Sequence, residues 1–93
     1  MPAIDHPLID RFLDALWLEK GLSDNTRQSY RSDLALFNGW LLERNLELSH
    51  AGRDLILDHL AWRVEQNYKP RSTARFLSGV RGFYRYLLRE KLI

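Results

Sequence analysis

The sequence predicts an all-α fold of four helices arranged as two helical hairpins. Apolar residues recur at helical spacing along the whole chain, no segment alternates convincingly as a strand, and one stretch of turn plus helix occurs twice. Ninety-three residues with 45% hydrophobic content suit one core. Residues 1–93 are therefore predicted to form a single domain.

The first hairpin is predicted from its helix ends. The first helix begins near Pro7, a favoured residue for a first helical turn, and stops at Gly21. The second helix follows the N-cap Ser23 and ends near Arg44 or Asn45. The apolar positions of the two helices are Leu8, Ile9, Phe12, Leu13 and Leu16, then Tyr30, Leu34, Phe37 and Leu41.

The second hairpin follows a connector at residues 46–52. Its first helix covers about Arg53 to Gln66, after which Asn67 can take the left-handed capping conformation. Its second helix covers Pro70 to Lys91. The residues predicted to face inward are Ile56, Leu57, Leu60, Ala61 and Val64, then Thr73, Phe76, Leu77, Val80, Phe83, Tyr84, Leu87 and Leu88.

An internal repeat relates the second and fourth helices at an offset of about 46 residues. The first and third helices do not align well at this offset, so the predicted repeat comprises the turn and the helix that follows it. The residues Gly21, Ser23, Thr26, Tyr30, Leu34, Phe37, Trp40 and Leu41 correspond to Asn67, Lys69, Ser72, Phe76, Val80, Phe83, Tyr86 and Leu87.

Charge is distributed unevenly. Residues 69–93 carry seven of the fourteen Lys and Arg residues and only one of the twelve acidic residues. On the fourth helix these cations lie opposite the apolar arc, with Arg81 at its margin, and Ser78, Gly79 and Gly82 share the outer face. Two glycines there would let another molecule approach the backbone, so we expect an anionic partner. The alternative is a solvated basic face.

The first turn of each repeated helix has residue types that suit nucleic acid. Helix N-termini favour phosphates, Ser and Thr hydroxyls can donate to them, and Arg, Asn and Gln can contact base edges in the major groove. For Ser23, simple capping is at least as good an explanation, and for Thr26 both explanations stay open. The exposed first-turn residues are Asn25, Gln28, Ser29 and Ser32 in one copy and Arg71, Arg75 and Ser78 in the other.

Other chemistry has little support in the sequence. There is no cysteine, and the three histidines, His6, His50 and His59, lack the spacing of a metal pair. The Asp54 and Asp58 pair fits a solvated face. We expect no metal, no cofactor and no small-molecule ligand. Since no signal peptide or span of ~20 apolar residues is present, we also expect a cytoplasmic protein without membrane contact.

The aromatic residues are mostly assigned to the core. Trp17 and Trp62 are predicted to lie in the core or at its edge. Leu36 and Trp40 lie off the main apolar stripe, so they either form a patch for a neighbouring subunit or cover the hairpin turn. The three tyrosines Tyr30, Tyr84 and Tyr86 are assigned to the helix cores.

Two motifs resemble the N-terminal core-binding domain of tyrosine recombinases and phage integrases, in particular of the XerD type. They are Gly21-Leu22-Ser23-Asp24-Asn25-Thr26 followed by Tyr30 and Asp33-Leu34, and Arg75-Phe76-Leu77-Ser78 followed by Phe83-Tyr84 and Tyr86-Leu87. The resemblance covers nearly the whole chain. It implies a four-helix SAM-like bundle, like the N-terminal domain of lambda integrase, that forms half of a clamp around double-stranded DNA.

In that family the second and fourth helices lie across the major groove. The resemblance and the basic face together give the candidate DNA-binding residues Asn25, Thr26, Gln28, Ser29, Lys69, Arg71, Ser72, Arg75 and Arg81. Lys69 departs from the usual Ser at its N-cap. The resemblance also implies chromosome dimer resolution by XerC-like and XerD-like subunits in the full-length protein.

The resemblance places catalysis in a separate C-terminal domain, which contains a tyrosine nucleophile. The chain ends at Leu92-Ile93, where the interdomain linker would begin, so we expect no strand cleavage and no catalytic residue in it. Two alternatives stay open: the core-binding domain of a phage or transposon integrase, and a SAM-like protein interaction module.

Overall fold

The computed structural model describes residues 2–93. It contains the helices α1 (Pro7–Lys20), α2 (Asp24–Leu42), α3 (Arg53–Glu65) and α4 (Pro70–Arg89), with a short 3-10 helix at Leu48–His50. The all-α prediction is confirmed, and this part of the chain contains no strand. None of its helices is long and apolar enough to cross a membrane.

Four left-handed residues end the four α-helices, and they extend the repeat. They are Gly21 (φ 61°), Asn45 (φ 58°), Asn67 (φ 63°) and Lys91 (φ 56°). Gly21 pairs with Asn67 and Asn45 with Lys91 at the repeat offset. α2 and α4 stop about two residues earlier than predicted, because the chain turns there and the residue after Asn45 or Lys91 donates its backbone N–H back to the last helical turn.

The repeat also includes α1 and α3, which the sequence comparison excluded. The ring of Phe12 in α1 lies 5.6 Å from that of Phe83 in α4, and the ring of His59 in α3 lies 5.0 Å from that of Phe37 in α2. Phe83 and Phe37 are repeat counterparts, so Phe12 and His59 occupy equivalent places. They are one position out of register with the rest of the repeat, and this shift concealed the match.

The core corrects several predictions for individual side chains. Trp40 is 2% exposed and belongs to the core itself, so neither alternative offered for it holds, while Leu36 is half-buried. Trp62 packs at the edge of the core as predicted. Trp17 and Leu88 are 51% and 64% exposed, contrary to prediction. The buried apolar core is Ile9, Phe12, Leu13, Leu34, Phe37, Trp40, Leu41, Leu48, Phe76, Val80, Phe83 and Leu87.

The inward face of α3 differs from the predicted one. Leu57, Ala61 and Val64 are exposed, whereas His59 and Arg63 are 0% and 1% exposed. The imidazole lies among aromatic rings of α2 and α4, and the guanidinium lies near a buried carboxylate. His59 packs against aromatic rings and Arg63 lies near the carboxylate of Asp33. The face of α3 that carries these two residues is therefore buried, and the three apolar side chains are left outside.

The N-terminal segment packs across α2. The backbone N–H of Ile4 donates to the carbonyl of Ala35 at 2.9 Å, and the Asn38 amide donates to the carbonyl of Ile4 at 2.8 Å. Gly39 is required for this contact, because a Cβ there would lie 2.0 Å from the carbonyl oxygen of Pro2. Residues 2–4 therefore cover one face of α2.

Candidate nucleic-acid interface

The first turn of α2 combines a cap with exposed amides. The Ser23 hydroxyl accepts from the backbone N–H of Thr26 at 3.3 Å and donates to the Thr26 hydroxyl at 3.0 Å. The predicted capping role of Ser23 is confirmed. Asn25 and Gln28 are exposed, and Thr26 and Ser29 are half-buried. This turn therefore presents two amide side chains, which can both donate and accept hydrogen bonds.

The first turn of α4 is basic and has no side-chain cap. Lys69 is the N-cap residue and accepts from Thr73 N–H only through its backbone carbonyl. Pro70 follows as the first helical residue, Arg71 is exposed and Ser72 is half-buried. The ammonium group of Lys69 cannot accept a hydrogen bond, so the early backbone N–H groups lack a side-chain acceptor from this residue. The turn combines two cations with the positive end of the helix dipole.

Contacts between α2 and α4 run in opposite order along the two helices. Tyr30 lies against Gly79, and Asp33, three residues further along α2, pairs with Arg75, four residues back along α4. The two first turns therefore lie towards opposite ends of one α2–α4 surface. The structure thus places the two first turns apart from each other along the α2–α4 pair.

The two glycines of α4 do not serve the role expected from the sequence. A Cβ on Gly79 would lie 3.0 Å from the Tyr30 ring, and a Cβ on Gly82 would lie 3.3 Å from Phe12 Cζ. Gly79 is buried and Gly82 is half-buried. The groups that approach the backbone at these positions belong to the same chain, so packing within the domain already accounts for the two glycines.

Arg75 is held by a buried carboxylate that sequence reasoning missed. Its Nε and Nη2 donate to the two oxygens of Asp33 at 2.7 and 2.9 Å, and Asp33 is 5% exposed. The hydrogen bond to Asp33 raises the pKa of Arg75. The Arg75 side chain is 37% exposed, and within residues 2–93 its Nη1 makes no hydrogen bond. Arg75 therefore joins α2 to α4 and still reaches the surface.

Asp33 also faces Arg63, with Nη2 of Arg63 3.8 Å from Oδ1. The guanidinium of Arg63 lies 4.5 Å from the centre of the Tyr68 ring. Burial lowers the pKa of Arg63, and the carboxylate opposes this shift. Asp33 thus connects three helices. Asp33 lies between Ser32 and Leu34 in the sequence, and these neighbours do not indicate that its side chain is buried.

Other cations of α2 and α4 differ in whether they pair with a carboxylate of the chain. Arg27 and Arg31 of α2 pair with Asp14 and Asp10 of α1, and Arg89 of α4 pairs with Glu19 at 2.9 Å. In contrast, the N-cap residue of α4 and three arginines within α4 are exposed and form no salt bridge in the part of the chain that the structure describes. These are Lys69, Arg71, Arg81 and Arg85.

Two buried titratable groups take no part in this surface. His59 has no hydrogen-bond partner in residues 2–93, and burial, with Arg63 and Arg44, lowers its pKa to about 3. The Tyr84 hydroxyl donates to the carbonyl of Leu48, and burial raises its pKa. Both groups are uncharged at neutral pH and belong to the interior, as predicted for Tyr84.

Residues 9–91 match the family described as phage integrase, N-terminal SAM-like domain. The chain belongs to this family. The resemblance found from the two motifs is thereby confirmed, and the four-helix structure agrees with it.

Over all 93 residues, this SAM-like domain is 83% identical to tyrosine recombinase XerD of Pseudomonas putida KT2440 and 72% identical to tyrosine recombinase XerD of Pseudomonas aeruginosa PAO1. It is 50% identical over 88 residues to tyrosine recombinase XerD of Yersinia pestis. The chain spans 31% of the length of the two Pseudomonas relatives. No solved structure matches it significantly.

Proposed function

We propose that this SAM-like domain binds double-stranded DNA as the N-terminal part of a site-specific tyrosine recombinase and forms half of a clamp at the recombination site. The observation that carries the proposal is the uneven pairing of charge. Arg27 and Arg31 of α2 meet carboxylates of α1, whereas Arg71, Arg81 and Arg85 of α4 are exposed and form no salt bridge among the residues that the structure describes. Such cations gain most from phosphates, because a bound phosphate releases counterions without breaking an internal ion pair.

Each candidate residue has a role that its surroundings support. Asn25 and Gln28 are exposed amides that suit base edges, and Arg71 suits a phosphate or a guanine. Arg75 is oriented by Asp33, so its free Nη1 would reach DNA with little loss of side-chain entropy. The full proposed contact set is Asn25, Thr26, Gln28, Ser29, Lys69, Arg71, Ser72, Arg75 and Arg81.

The biological setting follows from the XerD relatives. We propose that the full-length protein acts with XerC-like and XerD-like subunits in the cytoplasm to resolve chromosome dimers, and that strand cleavage requires residues outside these 93. A phage or transposon integrase would use the same DNA surface on a different target. The relatives named above favour the chromosomal role, because all three are described as tyrosine recombinase XerD.

Binding of the chain to a labelled duplex that carries a recombination half-site, followed by fluorescence anisotropy at several salt concentrations, tests the proposal. The double variant Arg71→Gln/Arg81→Gln should bind at least tenfold more weakly at about 0.1 M salt, since each lost phosphate contact removes about 0.9 from the log–log salt slope. The double variant Arg11→Gln/Arg53→Gln removes the same charge from exposed positions on other helices and should bind like the parent. Equal loss in both variants, or binding without salt dependence, would contradict the proposed surface.

A further inference from the structure

A shallow groove runs between α1 and α4, next to the α2–α4 surface. Its floor is apolar and comes from Phe12, Leu16, Leu22 and Tyr30, which approach α4 where Gly79 and Gly82 lack side chains. Its polar lining is Lys20, Ser78, Arg81 and Arg85. Among the described residues, no carboxylate lines this part of the groove, and Glu19 lines its continuation beside Tyr86 together with Arg89.

The cations of the groove come from two helices. Lys20 lies in the last turn of α1, and Arg81 and Arg85 lie one turn apart on α4. All three are exposed and form no salt bridge within residues 2–93. Glu19, the neighbour of Lys20, is bound by Arg89 further along α4, so the nearby carboxylate is already neutralised. The groove therefore has three converging, uncompensated positive charges.

The repeat supplies a matched groove for comparison. Between α3 and α2, a groove lies beside Trp40, the repeat counterpart of Tyr86, which lines the continuation of the α1–α4 groove with Glu19, Lys20, Arg85 and Arg89. It is lined by the carboxylates Asp58 and Glu65, and its one cation, Arg44, lies over the Trp40 ring at 3.9 Å from the ring centre. Two grooves of equivalent origin thus carry opposite charge, so basic lining is no general result of this packing.

The face of α4 that borders the basic groove is also left uncovered. Arg81 and Arg85 are the repeat counterparts of Ala35 and Gly39 on α2. On α2 that face is covered by the N-terminal segment, through the bond from Ile4 to the Ala35 carbonyl and the close approach of Pro2 to Gly39. On α4 the same positions carry two arginines that reach solvent.

We infer that the α1–α4 groove, through Lys20, Arg81 and Arg85, is a second binding site for the sugar-phosphate backbone of duplex DNA. The inference rests on the proposed function and adds Lys20 and Arg85 to it. Ser78 lines the groove together with Tyr30 of α2, so a DNA strand that leaves the α2–α4 surface near Arg75 would pass directly into the groove. Phosphates are the favoured occupant because point charges without an ordered hydrogen-bond pattern fix position and affinity rather than base sequence.

The test compares three double variants of the full 93-residue chain with a duplex of about 20 base pairs at several salt concentrations. Lys20→Gln/Arg85→Gln should lower the magnitude of the log–log salt slope by about 1.8 and the affinity at least tenfold at about 0.1 M salt, with the preference between duplex sequences unchanged. Arg11→Gln/Arg53→Gln is the charge-matched control and should behave like the parent. Amide NMR shifts of Gly79 and Gly82 on addition of DNA should mark the groove directly.

The outcomes separate this inference from the proposed function. If the parent binds DNA, Arg71→Gln/Arg81→Gln weakens binding and Lys20→Gln/Arg85→Gln does not, the groove inference is overturned and the proposed function stands. If the parent does not bind duplex DNA at all, both are overturned. Shifts of Gly79 and Gly82 that depend on protein concentration and not on DNA would assign the groove to contacts between protein molecules and would also overturn the inference.

Discussion

Helices α2 and α4 are copies of one repeat, yet they use arginine differently. In α2, Arg27 and Arg31 are half-buried and pair with aspartates of α1. In α4, Arg71, Arg81 and Arg85 are exposed, and none of them forms a salt bridge among the residues that the structure describes. The count of charges in a helix therefore says little about its partner. Whether an arginine is left unpaired depends on whether the neighbouring helix places a carboxylate next to it.

The strongest test of this comparison removes the carboxylate that binds both hairpins together. Asp33→Asn leaves Arg63, 1% exposed, without its counter-charge, and a buried charge without a partner costs about 3–5 kcal/mol. We expect a loss of that size in the free energy of unfolding, measured by urea denaturation.

The control for Asp33→Asn is Asp58→Asn on the exposed side of α3, which should change stability by less than about 0.5 kcal/mol. If the two variants lose the same small amount, then Asp33 does not hold α2, α3 and α4 together in the way described.

A second test concerns His59, which occupies the place of Phe12 in the other hairpin. Its pKa of about 3 in the folded protein lies below the ordinary histidine value of 6.5, so the unfolded chain binds a proton that the folded chain excludes. Stability should be complete above about pH 6.5 and fall by about 1.4 kcal/mol per pH unit as the pH is lowered towards 3. Between pH 6.5 and 4.5 the loss from this group is about 2 kcal/mol.

His59→Phe should remove that part of the pH dependence, because phenylalanine, the residue type found at the equivalent Phe12, has no titratable group. Urea unfolding at pH 6.5, 5.5 and 4.5 measures the difference between variant and parent, which cancels the titration of the carboxylates. His50→Phe is the control, since His50 is exposed. A parent and a His59→Phe variant with parallel pH profiles would show that His59 is able to take up a proton in the folded state.

A third test compares the loss of an unpaired arginine of α4 with the loss of a salt-bridged arginine of α2. Arg71→Gln should weaken DNA binding by about eightfold at 0.1 M salt, roughly 1 kcal/mol, and leave stability unchanged. Arg27→Gln should lower stability by at most about 1 kcal/mol and leave DNA affinity unchanged, because its partner is Asp14. The same salt titration and urea denaturation applied to both variants check this, and a shared phenotype would remove the distinction between α2 and α4.

The smallest expected effects concern the two N-caps. Ser23→Ala removes the acceptor for the Thr26 N–H and should cost about 1 kcal/mol. Lys69→Ser supplies such an acceptor at the equivalent position of α4 and should add a few tenths of a kcal/mol while it weakens DNA binding. Thermal unfolding of both variants measures the pair. A gain in DNA affinity for Lys69→Ser would mean that the ammonium group is not part of the interface.

Much of the fold was predictable because its signals are local. Gly21 and Asn67 end α1 and α3 in the left-handed conformation, and Ser23 caps α2, as the sequence indicated. The family was also recognisable, since the motifs around Thr26 and Phe76 match it. The candidate DNA-binding residues are still predictions.

Other features needed the tertiary structure. The sequence could not show that Gly79 and Gly82 face Tyr30 and Phe12, because a glycine has no side chain that indicates which face of the helix it lies on. Nor could it show that Arg75 is bound by a carboxylate 42 positions away.

By itself, then, the sequence determined the four helices, their caps, the repeated second helices and the basic character of α4, because each of these depends on residues within one or two helical turns. The tertiary structure decided which face of α3 is buried, which arginines are neutralised and which remain unpaired. Those outcomes depend on where a carboxylate or an aromatic ring of another helix lies, and such distances are set only when the hairpins pack together.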